Sequence, residues 1–166
     1  MDFLEFKVGG AKFHAQTFID YHASHAAVRV TKSRSQAPRG LLWYLNQTDP
    51  YVHGSTVVYV RMDRAQEHMS REMDRVAVYS NVIKVLTCPY AHYQNGKVER
   101  FNQTLQRMVA FARHDSNIPD SLVVYAIEYC VFVYNRVPVE TLGWTTPYER
   151  ATGSKPDVSM IHRFGC

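Results

Sequence analysis

The sequence predicts one α/β domain built on a mixed five-stranded sheet with helices on both faces. Three observations predict this fold class. Three strand-like runs open the chain, helix and strand patterns then alternate, and a long amphipathic helix follows in the second half. The chain has 166 residues, of which 46% are hydrophobic, and this suffices to bury the core of a single domain. We therefore expect residues 1–166 to form one domain.

The first thirty residues predict three strands. Residues 1–6, 12–20 and 25–30 are rich in apolar and β-branched side chains, and Gly9-Gly10 marks a turn between the first two runs. Connections this short join neighbouring antiparallel strands. The pattern predicts an antiparallel meander.

Helix and strand patterns alternate in the rest of the chain. The predicted elements are a short helix at 39–46, a strand at 56–60, a helix at 67–79, a strand at 82–86 and helices at 96–114 and 121–135. The run at 56–60 is continuously apolar, which predicts a strand covered on both faces. Residue types in 121–135 favour a strand, but the length of this segment after Pro119 favours a buried helix, which we predict.

The helix at 96–114 shows the clearest periodicity. Its apolar positions recur at three- and four-residue steps and predict a buried stripe of Val98, Phe101, Leu105, Met108, Val109 and Ala112. A polar row of Glu99, Asn102, Gln103 and Gln106 has the same period. This row faces either a cleft or water.

Composition narrows the function classes. The formal net charge of +4 permits an anionic partner, and Lys97, Arg100, Arg107 and Arg113 cluster on or near one helix. Cysteines stand only at 88, 130 and 166, a widely spaced odd set that excludes a disulfide framework and a Cys-x-x-Cys zinc site. We expect reduced thiols in an intracellular protein. The sequence contains no signal peptide and no 18-residue apolar run.

Two carboxylates stand where a phosphoryl-transfer site would place them. Asp63 ends an apolar strand, Glu99 opens the long helix, and the 35 residues 64–98 lie between them. Carboxylates from separate elements suit a pair of divalent ions that offset charge on attacking and leaving oxygens. The simpler alternatives are a turn-forming role for Asp63 and a capping or dipole role for Glu99, with Gly96 at the N-cap.

Several segments resemble a known family along almost the whole chain. They are Phe18-Ile19-Asp20, Arg61-Met62-Asp63-Arg64, the loop and helix from Cys88 to Asn102, Ile118-Pro119-Asp120, Asn135-Arg136, Thr146-Pro147-Tyr148-Glu149 and Phe164-Gly165-Cys166. Together they resemble the integrase catalytic core of copia-type (Pseudoviridae) LTR retrotransposons, within the ribonuclease H-like superfamily. The resemblance implies a ribonuclease H-like fold and a last helical turn at 146–152.

The resemblance also implies a catalytic and metal-binding triad of Asp2, Asp63 and Glu99 that holds two Mg²⁺ or Mn²⁺ ions. Asp2 lies in the first predicted strand, at close to the family's interval before Asp63. The segment 3–8 that follows it is shorter than in the family and lacks the family's glycine-proline pair. Asp2 is therefore either the first metal ligand or a plain terminal residue.

DNA is the implied partner. The candidate nucleic-acid-binding residues are Tyr93, Gln94, Asn95, Lys97, Arg100, Asn102, Gln103 and Arg107. The cations would bind phosphates and give a salt-dependent affinity, and the loop aromatic would order the cleft or stack on a base. The alternatives are a solvated helix face and a loop that only covers the core.

The activity implied by the resemblance is DNA integration, with 3′-end processing followed by strand transfer. The family also implies a gag-pol polyprotein, a homo-oligomer, and a location in cytoplasmic virus-like particles and in the nucleus. The zinc-binding module and basic tail of such enzymes are absent from this chain, so the isolated chain is expected to be a weak or inactive enzyme. The alternative functions are a catalytically degenerate nucleic-acid-binding or multimerisation module and a ribonuclease H-like nuclease.

Overall fold

A computed structural model describes residues 1–48, 57–88 and 95–165, and it has mixed α/β architecture. The strands are Asp2–Val8 (β1), Ala11–Ile19 (β2), Ala26–Thr31 (β3), Tyr59–Met62 (β4) and Ile83–Leu86 (β5), and the helices are Ala37–Thr48 (α1), Arg71–Tyr79 (α2), Gly96–Ser116 (α3), Val123–Tyr134 (α4) and Pro147–Thr152 (α5). The predicted α/β class and the order of elements are confirmed. Within the described ranges, no helix is both long and apolar enough to cross a membrane.

The strands form two ladders instead of one continuous sheet of five. β1, β2 and β3 pair antiparallel, with Asp2 opposite Thr17, and Gly9 and Gly10 make the first turn at φ values of +54° and +79°. β4 and β5 pair in parallel. The Met1 nitrogen donates a 2.6 Å hydrogen bond to the Arg61 carbonyl oxygen, so β1 begins beside β4. The expected five strands are present, but the described residues of β1 and β4 share no ladder.

Helices cover both faces of the antiparallel ladder, as predicted. Side chains on one face join α3 and α4 in a first core of Leu4, Ala15, Ala26, Val28, Phe101, Leu105, Val109, Val123, Ile127, Cys130 and Val131. The other face, together with β4, joins α1 and α2 in a second core of Met1, Phe18, Ala37, Leu41, Tyr44, Leu45, Val60, Met62, Met73 and Val82. Ala15 and Phe18 of β2 enter different cores. They are an odd number of positions apart, and successive side chains of a strand point to opposite faces.

β4 and α2 differ from their predictions. Residues of β4 alternate between exposed and buried, and Tyr59 is 65% exposed, so the prediction of a strand covered on both faces is wrong. The second core covers only one face of this strand. α2 begins at Arg71 and not at 67, because the Ser70 hydroxyl caps it by accepting from the Met73 amide at 3.2 Å.

α1 approaches β2 closely at Gly40. A Cβ atom at this position would lie 1.7 Å from the Oε1 atom of Gln16. Gln16 is fully buried, and its Nε2 atom donates to the Ala37 carbonyl oxygen at 3.1 Å. The missing side chain of Gly40 is therefore what lets the helix and strand pack with Gln16 between them.

Candidate active site

Asp2 lies at the start of β1 and is hydrogen-bonded to α3. The Nδ2 atom of Asn102 donates to Asp2 Oδ2 at 2.8 Å, and the amide of Phe3 donates to Asp2 Oδ1 at 2.7 Å. The Thr17 hydroxyl in turn donates to Asn102 Oδ1 at 2.8 Å. Thr17 and Asn102 are both buried. This chain of bonds ties Asp2 to α3, the helix whose first turn carries Glu99.

Asp63 directly follows β4, and one of its oxygens accepts two hydrogen bonds. The donors to Oδ1 are the His68 ring at 2.6 Å and the Ala65 amide at 3.1 Å. The His68 hydrogen bond, with help from the Ala65 amide, holds the pKa of Asp63 below its usual range despite partial burial. Asp63 is therefore ionised at neutral pH. Its Oδ2 atom accepts no hydrogen bond from the described residues.

The two aspartates come from different ladders but approach the same point. Burial lowers the pKa of the Met1 amine to about 6, and the charges of Asp2 and Asp63 both oppose this shift. Both carboxylates therefore lie within electrostatic range of the Met1 nitrogen. Met1 contacts Arg61 of β4. This contact explains how Asp2 and Asp63, which are distant in sequence, come together.

Glu99 lies in the first turn of α3 and has no partner among the described residues. The helix begins after Asn95, whose side chain makes no capping hydrogen bond, so the capping box predicted as an alternative is not formed. Glu99 is exposed and makes no hydrogen bond or ion pair with a residue of the described ranges. Asn102 stands three positions later, on a neighbouring part of the helix surface. The Asp2 contact is therefore close to the end of α3 that carries Glu99.

The fold has counterparts among solved structures, although no protein-family model matches the chain. A chain of the simian T-cell lymphotropic virus intasome, solved in complex with PP2A regulatory subunit B56 gamma, matches with a TM-score of 0.78 at 18% identity. The match covers 96% of this chain and 57% of that chain, so this chain spans little more than half of its counterpart.

Two structures of the HTLV-2 integrase catalytic core domain in complex with magnesium match over a comparable part of the chain. The trimeric form gives a TM-score of 0.72 and the dimeric form 0.71, both at 16% identity and covering 90% of this chain and 92% of that chain. This chain has the integrase-core fold. The implied integrase-core fold is thereby confirmed, whereas the copia-type assignment stays a prediction.

The predicted ligands suit a divalent metal in chemical type. Carboxylate oxygens are the preferred ligands of Mg²⁺ and Mn²⁺, and Glu99 and the Oδ2 atom of Asp63 are without partners among the described residues. Asp2 has one hydrogen bond on each oxygen, which leaves each oxygen a further lone pair. In residues 1–48, 57–88 and 95–165, however, no group of three or more His, Cys, Asp and Glu side chains is close enough to hold a metal ion.

Three predicted nucleic-acid-binding residues form an exposed row on the integrase-core helix α3. Arg100, Gln103 and Arg107 are exposed and are spaced three and four positions apart, so they share one face. Neither arginine side chain has a hydrogen-bond or ion-pair partner in the described part of the chain. This row is available to phosphates.

Two other candidates are engaged within the protein. Asn102 is buried, and its amide bonds to Asp2 and Thr17, so its expected contact with nucleic acid is replaced by a structural role. Lys97 donates to the Tyr21 carbonyl oxygen at 2.5 Å and lies 5.1 Å from the centre of the Tyr21 ring. Burial lowers the pKa of Lys97. Lys97 is therefore a less available phosphate ligand than Arg100.

The last three candidates precede α3. Asn95 is the N-cap residue of the helix and lines a cavity of about 970 Å³ together with Tyr21 and Arg61. Tyr93 and Gln94 lie outside the described residues. Their predicted contacts with DNA stay predictions.

The sequence did not predict two residues that support the carboxylates. Thr17 is identified only by the strand register, which places it opposite Asp2. His68 lies in a turn after Asp63, and no spacing or neighbouring motif marks a histidine there. Both act through contacts that depend on tertiary structure.

Proposed function

We propose that this chain is the catalytic core of a retroelement integrase and acts on DNA by metal-dependent polynucleotidyl transfer. The observation that carries the proposal is the hydrogen bond between Asp2 and Asn102, within an integrase-core fold. The proposed reactions are hydrolytic processing of 3′ ends and transesterification into target DNA.

We propose that Asp2, Asp63 and Glu99 hold two Mg²⁺ or Mn²⁺ ions after moving closer together than in the described structure, where no three such side chains are near enough to share an ion. When bound, such ions neutralise charge on the scissile phosphate and activate water or a hydroxyl as the nucleophile. The chain's own residues fix the ligands: Asn102 orients Asp2, and His68 with the Ala65 amide orients Asp63. The HTLV-2 integrase core was solved in complex with magnesium, which supports the choice of metal here.

The protein supplies position and charge to a reaction whose nucleophiles belong to water and DNA. In end processing, water attacks the phosphorus and the 3′ oxygen of the processed strand leaves with a proton. In strand transfer, that 3′ hydroxyl loses its proton as it attacks a target phosphodiester, and a target 3′ oxygen leaves. Arg100 and Arg107 would hold the DNA backbone so that attack occurs in line.

The finer assignments follow the same proposal. We propose a copia-type LTR retrotransposon as the source, with the chain released from a gag-pol polyprotein and acting in cytoplasmic virus-like particles and in the nucleus. The HTLV-2 cores were solved as dimeric and trimeric forms and the simian virus protein as an intasome, which supports a homo-oligomer for this chain.

Substitution of Glu99 tests the proposal. Glu99→Gln removes one negative charge at an exposed site that has no internal partner among the described residues, so the fold should be retained. Loss of a metal ligand should lower Mn²⁺-dependent strand transfer by at least about 100-fold, equivalent to several kcal/mol in the transition state. The measurement is strand transfer of a labelled oligonucleotide duplex, with circular dichroism as the check on folding.

Glu128→Gln provides a matched control, because it makes the same change at an exposed position of α4. Strand transfer should be unchanged in this variant. Equal activity of Glu99→Gln and the unmodified chain would rule out Glu99 as a ligand. Cleavage of RNA:DNA hybrids without action on duplex DNA ends would instead identify a ribonuclease H-like nuclease. A folded, metal-loaded chain that does neither would be the degenerate binding module.

A further inference from the structure

His68 is a buried histidine that contacts a predicted metal ligand. It lies in the turn between β4 and α2 and is only 1% exposed. Its Nδ1 atom is 2.6 Å from Asp63 Oδ1. The proposed reaction assigns no chemical step to this histidine. A side chain buried so completely beside a half-buried carboxylate requires a physical reason.

The partners of the two ring nitrogens determine where the proton lies. Ionised Asp63 can only accept hydrogen bonds, so Nδ1 of His68 must be the donor. Nε2 is buried and has no hydrogen-bond partner in the described structure. A proton on Nε2 would be a buried donor without an acceptor, which is costly. Without a proton, Nε2 is a buried acceptor without a donor, and this costs less free energy than an unpaired buried donor. The contact therefore places a proton on Nδ1, which donates to Asp63.

Contacts on several sides keep the ring in place. The imidazole stacks on Phe3, with ring centres 5.9 Å apart and an interplanar angle of 18°. The His68 amide donates to the Ala65 carbonyl oxygen at 3.0 Å, and Lys84 Nζ donates to the His68 carbonyl oxygen at 3.2 Å. A ring packed this way cannot follow Asp63 if the carboxylate rotates. Phe3 also follows Asp2 directly, so one stack of rings adjoins both aspartates.

We propose that His68 is a positioning residue that acts through Asp63, an inference that rests on the proposed function. Its Nδ1–H group holds Oδ1 and thereby fixes the rotation of the carboxylate, which leaves Oδ2 available as a ligand. The histidine touches neither substrate nor metal. It lowers the cost of ordering Asp63 when a divalent ion binds, because the side chain is already held in one orientation.

A pair of variants separates the hydrogen bond from the packing. His68→Asn keeps an N–H donor close to the position of Nδ1, and His68→Phe keeps a ring against Phe3 without a donor. Mn²⁺ affinity should fall about 10- to 100-fold in His68→Phe and should stay within about threefold of the unmodified chain in His68→Asn. Titration calorimetry measures the affinity, and the strand-transfer KM for DNA should be the same in all three proteins. Equal Mn²⁺ affinity in His68→Phe and the unmodified chain would overturn the proposal.

A measurement on the unmodified chain covers the case in which the variants do not fold. Long-range ¹H–¹⁵N correlation spectra distinguish the two neutral histidine tautomers. His68 should show the Nδ1–H form without added metal, and the Nε2–H form would overturn the proposal. Failure of the proposed function has a different signature, in which the unmodified chain binds Mn²⁺ but does not transfer strands while His68→Phe still weakens Mn²⁺ binding.

Discussion

Asn102 connects three elements through one amide group. Its Nδ2 atom donates to Asp2 on β1, and its Oδ1 atom accepts from Thr17 on β2, while its backbone belongs to α3. Asn102 is buried, so water cannot easily replace a lost partner. Buried polar groups left unpaired cost more than the hydrogen bond contributes. The network should therefore contribute to stability as well as to the orientation of Asp2.

Asn102→Ala should lower the free energy of unfolding by about 1–3 kcal/mol, because the Thr17 hydroxyl and the Asp2 carboxylate each lose a partner. Urea denaturation followed by circular dichroism measures this change. Gln103→Ala, at the exposed neighbouring position, should stay within about 0.5 kcal/mol of the unmodified chain. Similar losses in both variants would show that the buried network contributes nothing specific.

The predictable part of the site was the part set by local sequence. A carboxylate after an apolar strand and another at a helix start identified Asp63 and Glu99 as candidates, whereas Asp2 was proposed only from the family resemblance. The contacts of Asn102 and His68 depend on strand register and on the path of a turn. Periodicity assigned Asn102 to a polar face, and nothing in that pattern shows that a β-strand covers the residue.

At the scale of elements, the packing of α1 on β2 depends on a small residue facing a buried polar one. Gly40 leaves the space that Gln16 occupies, and Gln16 bonds to the α1 backbone at Ala37. This hydrogen bond holds the amide end of the Gln16 side chain. The side chain therefore cannot move away from a methyl group added at Gly40 without losing the bond. The close approach in turn brings Phe18 and Leu41 together in the second core.

Gly40→Ala should destabilise the protein although alanine favours helices. The steric cost of overpacking is about 1–3 kcal/mol and exceeds the gain in helix propensity of about 1 kcal/mol. Thermal unfolding should show a lower Tm. Gly96→Ala in α3 is the matched control, because among the described residues a Cβ there meets only Arg100, at an ordinary 3.5 Å. If Gln16 causes the clash, the double variant Gln16→Ala with Gly40→Ala should lose less stability than the two single losses added together.

Elements with a strong period were predicted well, and those decided by tertiary contacts were not. The apolar stripe of α3 was correct for Val98, Phe101, Leu105 and Val109, which are buried. Composition suggested a strand covered on both faces at 56–60, but only Val60 and Met62 of β4 are buried, because the second core lies on one side. A local hydrogen bond from the Met73 amide to the Ser70 hydroxyl decided where α2 begins.

At the scale of the whole molecule, a modest positive charge acts through its distribution. The net charge is +4, and Arg100 and Arg107 share one exposed face of α3, the helix whose first turn carries Glu99. Other arginines, such as Arg71 and Arg75, lie on α2, which packs in the second core. The location of a cation should therefore decide its effect on DNA binding more than its number.

Replacing Arg100 and Arg107 together by alanine should weaken binding to duplex DNA and reduce the salt dependence of that binding. Each lost phosphate contact lowers the slope of log K against log salt by about 0.9, so the pair should lower it by about 1.8. Fluorescence anisotropy at several salt concentrations gives the slope. Arg71→Ala with Arg75→Ala removes the same charge from α2, and an equal effect of both pairs would refute a specific role for the α3 row.

The predicted architecture was correct in its class and in its helix-covered faces, while the continuity of its sheet was not. Apolar and β-branched residues predicted the strands at 1–6, 12–20 and 25–30, and Ala15 and Phe18 of the second strand lie in separate cores. Residue type does not determine how far neighbouring strands extend their hydrogen bonds. Met1, which directly precedes β1, donates one hydrogen bond to Arg61 of the four-residue β4. The described residues of β1 and β4 form no ladder.

The rate of chemical labelling at Cys130 measures how often α3 separates from α4. Its thiol is buried in the first core, and burial raises its pKa to about 11, so a labelling reagent meets almost no thiolate in the closed protein. Alkylation of Cys130 must await a local opening event, and its rate reports how often the helix pair parts. Exposed Cys88 supplies the fast reference reaction within the same molecule.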